Sequence, residues 1–341
     1  MQLIIAGASG REHVGRHLAS AAIRSGHSLH FIDTEEAYRG PFLSRKIQWH
    51  FCGRRPVRLR RFSDQVLRAS LNGASCLITT GLAPISRQCI QRVRAAGVMT
   101  ANFLTDDPWN PAHYAHWFLE ALPAYDFVFT PRRANIDDLR RSGCNAVEYL
   151  PFGYADDVHA PAQQALGDCD VFFAGGADPD RVRWISALTR AGLNVSLYGG
   201  YWRSFPQTKR LAKGFAPPEQ LSQFVAGARI CLCLVRAANR DGHSMRTFEL
   251  AAMRACMLVE RTPEHTELFG SEGQSVLYFS GEAELLHNIR LLLASPGERY
   301  RLAESVHLRI TAGKNKYSDR LAHMLETINM HPSGCCQAVT A

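Results

Sequence analysis

Apolar positions along the chain fall into short runs separated by stretches of helical spacing, and the two alternate almost from the first residue. "LIIAG" is an apolar run ending in glycine, residues 11–25 show helical spacing, and "SLHFID" and "SCLITTG" read as two further strands. A helix in "ISRQCIQRVRAAG", a strand in "MTANFLT", a helix in "AHYAHWFLEAL", a strand in "FVFTP", a helix in "ANIDDLRRSG" and a strand in "AVEYLP" follow. Strands alternating with helices build a parallel sheet covered on both faces, because each parallel crossover needs a helix. At Pro151 the pattern stops. "PFGYADDVHAPAQQALGD" has turn residues and no period, and then "CDVFFAGG", a helix from about Asp180 to Ala191, "NVSLYGG", "PPEQLSQFVAGA" and "RICLCLV" restart the alternation. "SVLYFS" is a late strand, with helices expected at about 282–293, 296–311 and 318–330.

The predicted fold class is α/β, with two doubly wound Rossmann-like domains facing a central cleft. Residues 1–152 form the first domain, 153–168 a linker, 169–330 the second domain and 331–341 a polar tail. A length of 341 residues agrees with two domains, since ordinary domains run to about 150 residues. In sheets of this kind ligands gather outside the carboxyl ends of the strands.

Composition changes this picture little. Hydrophobic content of 46% with 21% charged residues is that of a globular protein, and no apolar stretch approaches the ~20 residues that span a bilayer. The apolar part of "MQLIIAGASG" is too short for a signal peptide and reads as a first strand. Ten cysteines are scattered singly, without a CxxC, and Cys335 and Cys336 lie in the tail. These features predict a reduced, cytoplasmic protein without a structural metal. Charge matters more, because the net +8 is local: "RKIQWHFCGRRPVRLRR", residues 45–61, holds seven basic residues and no acid. Such a block suits a polyanion or the inner face of an anionic membrane; its plainer reading is a solvated helix face.

Several motifs invite chemistry. "GASGREHVG" suggests a dinucleotide loop, with Asp33 where a ribose-binding acid would stand, but His13 occupies the place of the required glycine. No tyrosine is followed four residues later by lysine, which removes a common reductase pair. Gly10 and His13 are read instead as part of a strand-to-helix turn on the acceptor side. Asp168-Cys169-Asp170 and Asp178-Pro179-Asp180 have the spacing of metal-binding triplets, against plainer roles in linker polarity and at a helix N-terminus. Asp106 and Asp107, in "LTDDPWNP", end a strand and are candidates to orient a sugar hydroxyl or accept a proton. The strongest candidate is "HSMRTFELAAMRACMLVERTPEHTELFG", residues 243–270, a helix, strand and helix with almost no connectors. The helix start near His243, Ser244, Met245 and Thr247 offers unsatisfied N–H groups, Arg246 adds charge, and the pair is suited to phosphate. Glu249 could chelate a ribose diol, with Asp241 beyond the phosphates; in the plainer reading Glu249 only pairs with Arg246 at i, i+3.

Five stretches, "RTFELAAMRACMLVERTPEHTELF", "LYFSGEAELLHNIRLLL", "RAAGVMTANFLTDDPW", "VEYLPFGYADDVHAP" and "DVFFAGGADPDRVRWISAL", resemble the CgeB-like, spore-maturation type of glycosyltransferase, related to the retaining GT-B enzymes. The likeness runs from about residue 70 to 310. It implies a nucleotide-sugar donor on the second domain and an acceptor on the first. It further implies that Asp241 and Glu249 frame the donor, that Ser244 and Met245 offer N–H groups to the diphosphate, and that Gly175, Gly176 and Arg181 or Arg183 lie beside it. Asp241 stands where the relatives usually carry Glu, one methylene longer, and "NKYSDRL" departs from their basic final helix.

The expected function is a metal-independent, retaining transfer of a sugar from a UDP, GDP or dTDP carrier to a glycan, lipid-linked or protein acceptor, with no cofactor. Asp106, Asp107 and Asp241 are the catalytic candidates, and Arg54, Arg55 and Arg58 the acceptor-side cations, with peripheral membrane contact as one use of the block. Two other classes stay open: a nucleic-acid-binding or nucleic-acid-glycosylating protein using residues 45–61, and a nucleotide-sugar binder that never turns over.

Overall fold

The structure, a computed structural model, describes residues 1–330; the Cys335–Cys336 pair lies outside the described residues. Eleven strands carry the fold. The first six are β1 (Gln2–Gly7), β2 (Ser28–Asp33), β3 (Cys76–Thr80), β4 (Met99–Phe103), β5 (Phe127–Thr130) and β6 (Ala146–Tyr149), all parallel in the order β2-β1-β3-β4-β5-β6. Between them run α1 (Val14–Arg24), α2 (Phe42–Phe51), α3 (Leu59–Leu71), α4 (Arg87–Ala95), α5 (His116–Ala121) and α6 (Ile136–Arg141). The second sheet holds β7 (Cys169–Ala174), β8 (Val195–Tyr198), β9 (Ala228–Cys233), β10 (Met257–Glu260) and β11 (Leu277–Phe279), also parallel, in the order β11-β10-β9-β7-β8. Its helices are α7 (Pro179–Arg190), α8 (Leu221–Ala226), α9 (Met245–Ala252), α10 (Pro263–Phe269), α11 (Glu282–Ala294) and α12 (Pro296–Ala312), and α13 (Tyr317–Met330) ends the described chain.

Every strand expected from the apolar runs is present, and the physical reason is burial on both faces. Leu3, Ile4 and Ile5 are consecutive and all buried, as are Ile230 to Cys233; only strands with helices on both sides bury successive residues. Two helices depart from expectation. The helix expected over 112–122 is confined to His116–Ala121, because Asn110 turns the chain first, accepting the Ala112 N–H at 2.9 Å. The basic segment is not one helix face: it covers α2, a turn in which Gly53 and Arg54 both have positive φ, and the start of α3.

The described chain divides into two compact units, residues 1–151 with Tyr317–Met330, and Phe152–Lys316. This corrects two expected boundaries. Residues 153–168 pack with the second unit: the Leu166 N–H donates to the Gln223 carbonyl at 2.9 Å, and Lys316 Nζ to Asp156 at 2.9 Å. The helix α13, assigned to the second domain by its position in the chain, belongs to the first unit. Its Tyr317 ring stacks on His17 of α1 at 5.0 Å, His323 pairs with Glu148, and Leu321, Met324 and Ile328 are buried. Apolar spacing shows that a helix has a buried face but not which sheet that face covers.

The assignment of α13 is testable. Leu321→Ala should cost about 2–5 kcal/mol, as for other buried leucines, and hydrogen exchange should quicken in β1–β6. Loss of protection in β7–β11 instead would place the helix with the second unit.

Candidate functional site

In the second sheet the chain runs outward from β7 to β8 on one side and from β7 to β9 on the other, so the strand order reverses between β7 and β9. Ligands of doubly wound sheets bind at such a point, where neighbouring strand ends send their loops apart. Here β7 is followed by Gly175-Gly176 and β9 by Leu234-Val235-Arg236. A Cβ on Gly176 would stand 3.1 Å from Nη2 of Arg236, so the two loops meet. The helix α9 starts at the same place: Arg246 Nε donates to the Ala174 carbonyl at 3.1 Å.

The start of α9 is held by a chain of hydrogen bonds. The Ser244 N–H donates to Thr247 Oγ1 at 3.0 Å, part of a capping box. Thr247 Oγ1 lies 2.9 Å from His265 Nε2, and His265 Nδ1 lies 2.7 Å from the Glu260 carbonyl. A carbonyl can only accept, so Nδ1 carries the proton and Nε2 accepts from the Thr247 hydroxyl. Both Thr247 and His265 are fully buried, and burial lowers the His265 pKa to about 4. Thr262, the N-cap of α10, accepts the His265 N–H at 3.0 Å and donates to the Gly242 carbonyl at 2.5 Å. The Glu264 carboxylate lies against Gly242, in the space a Cβ there would take, so a side chain at 242 would have to push it aside. His243 is buried as well: its Nε2 accepts the Phe152 N–H at 3.3 Å, and its ring packs edge-on against Phe152 and Phe248. Thr247 and His243, expected to meet a ligand, instead support the helix start from beneath.

The pair anticipated between Arg246 and Glu249 exists, but not on an open helix face. Glu249 is fully buried, with His159 Nε2 at 3.6 Å, while a quarter of the Arg246 side chain is exposed. Burial lowers the His159 pKa, against the Glu249 charge, which raises it. A buried carboxylate beside a half-open cation is costly to desolvate, so this arrangement is more than the surface pair of the plainer reading. Met245 and Arg246 head the helix, where N–H groups have no intrahelical acceptor. Asp241 accepts the Arg236 N–H at 3.2 Å.

Arg181 does not have the expected role. Its Nε, Nη1 and Nη2 donate to the Val235, Gly176 and Leu234 carbonyls, each at 3.1 Å, and the side chain is buried. It braces the two loops from below. Arg183 lies over the Trp184 ring at 4.2 Å. A further cation, which the sequence did not single out, is Arg236 on the loop after β9; its Nε lies 3.5 Å from Asp178, and its side chain is 28% exposed, much like that of Arg246. Its one signal was position, directly after the "RICLCLV" strand. The Gly175 carbonyl accepts from Trp202 Nε1 at 2.8 Å, and the close packing there falls on Gly199, whose φ is positive and where a Cβ would lie 2.0 Å from that carbonyl oxygen. Both acidic triplets have structural partners. Asp178 caps α7 through the Arg181 N–H at 2.9 Å, and Asp168 and Asp170 pair with Arg229 at 3.0 and 3.2 Å.

In the first unit the candidates scatter. Asp107 is buried and accepts from the Trp109 N–H at 3.0 Å and Asn135 Nδ2 at 2.9 Å, so it shapes the turn after β4; Asp106 is the half-exposed member of the pair. His13 is the N-cap residue of α1, and its N–H donates to the Gly10 carbonyl at 3.0 Å. Gly7 and Gly15 let the end of β1 touch α1, since a Cβ on Gly7 would lie 2.8 Å from the Gly15 Cα. Asp33 accepts from Ser9 Oγ at 2.8 Å and the Glu35 N–H at 3.0 Å. Glycine spacing there serves close approach of strand and helix. Arg54 folds back, donating to the Tyr114 carbonyl at 2.9 Å, whereas Arg55 and Arg58 are exposed.

Residues 181–326 match the family described as glycosyl transferase-like. No curated protein gives a significant match. Among solved structures, sucrose-phosphate synthase from Thermosynechococcus elongatus is similar over 97% of this chain and 98% of its own, at 13% identity and a TM-score of 0.68. Anabaena HepE, solved with UDP and glucose, covers 97% and 100% at 11% identity and 0.64. The T4 phage protein BGT, solved with its UDP-glucose substrate, covers 96% and 100% at 14% identity and 0.63. The fold is therefore that of the GT-B glycosyltransferases, with one Rossmann-like sheet in each unit.

The buried histidine sets a pH dependence. His265 binds a proton below about 6.5 when unfolded but only below about 4 when folded. Its contribution is thus complete above pH 6.5 and declines by about 1.4 kcal/mol per pH unit as pH falls toward 4. Denaturant titrations should show a shallower decline for His265→Gln than for wild type over that window; equal slopes contradict the assignment.

Proposed function

We propose that the chain, a glycosyltransferase as its family match and GT-B fold indicate, takes its sugar from a UDP-type donor held at the β7–β9 switch point of the second unit. The observation that carries this reading is the convergence of Arg236, Arg246 and the α9 N-terminus on the Gly175-Gly176 loop. Charge develops on the departing diphosphate as the glycosidic bond breaks. Fixed donors and guanidinium groups stabilise that charge without reorganising at the moment of reaction. The UDP of HepE and UDP-glucose of BGT, both on this fold, favour uridine over the other bases.

In this reading the diphosphate lies against the Met245 and Arg246 N–H groups, Arg246 and Arg236, and Glu249 accepts from the ribose. Asp241, on the same loop, faces the sugar. Asp178, Asp168 and Asp170 already have protein partners, which favours a reaction that needs no divalent ion. The CgeB-like subtype, retention of configuration and a cytoplasmic site of action belong to the same proposal. Among the described residues no helix is long and apolar enough to cross a membrane.

Calorimetry with UDP and with inorganic pyrophosphate separates the roles. Glu249→Gln keeps the shape of the buried side chain and should weaken UDP binding by about 10–100-fold, from one or two charge-assisted hydrogen bonds, while pyrophosphate binding is unchanged. An equal fall for both ligands would mean that Glu249 only holds Arg246 in place. Arg236→Gln should weaken both. Transfer activity should persist after dialysis against EDTA; loss that Mn²⁺ or Mg²⁺ restores contradicts the metal-independent mechanism.

A further inference from the structure

The helix α2 is built inside out. Surface helices turn an apolar stripe to the core and polar residues to water, yet α2 has no buried residue at all. The residues it turns toward the protein are Ser44 and Gln48, one turn apart and half-buried. Phe42, Leu43 and Phe51 are 76%, 67% and 84% exposed, and Ile47 and Trp49 are exposed too. Leu43, Ile47 and Phe51 recur every four residues and make one stripe. Arg45 and Lys46 stand beside them on the same open surface.

This helix rides on an excursion closed at its base. The Arg58 N–H donates to the Ala37 carbonyl at 2.9 Å, and Val57 packs against Gly40, where a Cβ would lie 3.1 Å from Val57 Cγ1. Arg54 reaches the Tyr114 carbonyl, and Trp117 Nε1 reaches the Arg54 carbonyl at 3.4 Å. Its stem is thus fixed to the first unit while its apolar side stays outward. Just beyond the stem, a cavity of about 510 Å³ is lined by Arg55, Arg60 and Arg92 with Ser63 and Ser86, and Asp64 is its one acid. Apolar side chains offered beside a basic, nearly acid-free surface are complementary to a layer with an apolar interior and a negative face.

We propose that α2 is a membrane-docking helix that lies in the headgroup region of an anionic bilayer, with Leu43, Ile47 and Phe51 among the acyl chains and the arginines around it on lipid phosphates. A ten-residue helix is about 15 Å long, too short to span and of the right form to lie in the interface plane. The charge part of such binding gains about fivefold per basic residue near the surface and falls with salt. The inference does not rest on the donor assignment, because α2 belongs to the first unit.

Full-length protein mixed with phosphatidylcholine vesicles, with and without phosphatidylglycerol, tests it by co-sedimentation. Binding should be at least about tenfold tighter with phosphatidylglycerol and accompanied by a blue shift of tryptophan emission that Trp49→Phe removes. The triple change Leu43→Ser, Ile47→Ser and Phe51→Ser should weaken vesicle binding at least about tenfold, with unchanged thermal unfolding as the check on folding. Absence of vesicle binding overturns the proposal. So does undiminished binding by the triple variant, which would make the contact purely electrostatic. A dimer that the triple variant dissociates would assign the apolar stripe to a second copy of the chain, and tighter binding to duplex DNA than to vesicles at equal salt would assign the basic surface to nucleic acid.

Discussion

The hydrogen-bonded chain from Ser244 through Thr247 and His265 to the Glu260 carbonyl is the constraint on which the site depends. It ties the first turn of α9 to β10 and α10 through groups that are buried and therefore expensive to leave unpaired. Each member has one role available. The carbonyl must accept, which leaves the imidazole one acceptor nitrogen, and that in turn orients the threonine hydroxyl and frees its lone pair for the Ser244 N–H. The Glu264 carboxylate rests against Gly242, beside the same helix start. A helix start fixed in this way presents its N–H groups in one place, which is what electrostatic preorganisation requires.

Around that fixed point the cations are sorted by burial. Arg181 is buried and spends its guanidinium on three loop carbonyls, bringing the ends of β7 and β9 together; burial, and then the charge of Arg236, lower its pKa. Arg236 and Arg246 are each about a quarter exposed and keep one side toward solvent. Carboxylates at Asp178, Asp241, Glu249 and Glu260 sit among them, and Glu260, its pKa raised chiefly by burial, accepts the Val235 N–H at 3.0 Å. The opposed charges allow several arginines to gather at one strand edge, where alone they would repel each other.

Most of the fold was legible in the sequence, because strands buried on both faces write themselves as apolar runs and helices as a longer period. The start of α9 was legible for the same reason, with Ser244, Arg246 and Thr262-Pro263 at the joints. What failed were statements about side-chain direction. Arg181 reads as a free cation beside two glycines, but a strand end does not reveal that its guanidinium turns inward to carbonyls. Asp107 reads as one of a pair, yet it is buried on Trp109 and Asn135, whereas Asp106 is half-exposed beside Thr105 and His113. Arg236 went unnoticed because no spacing marks it; its importance comes from β9 lying next to β7, a pairing made by the crossover and not by any local pattern. The placement of α13 in the first unit, and the outward apolar side of α2, likewise depend on tertiary neighbours.

The proposed site places a nucleoside diphosphate at the β7–β9 switch point, against the start of α9. Hydrogen exchange of the full chain with and without saturating UDP tests it most directly. With UDP bound there, exchange should slow in the segments 174–178, 234–237 and 244–247, with little change elsewhere in the second unit. Protection confined to the β1–α1 turn around Gly10 and His13, with those three segments unaffected, would contradict it.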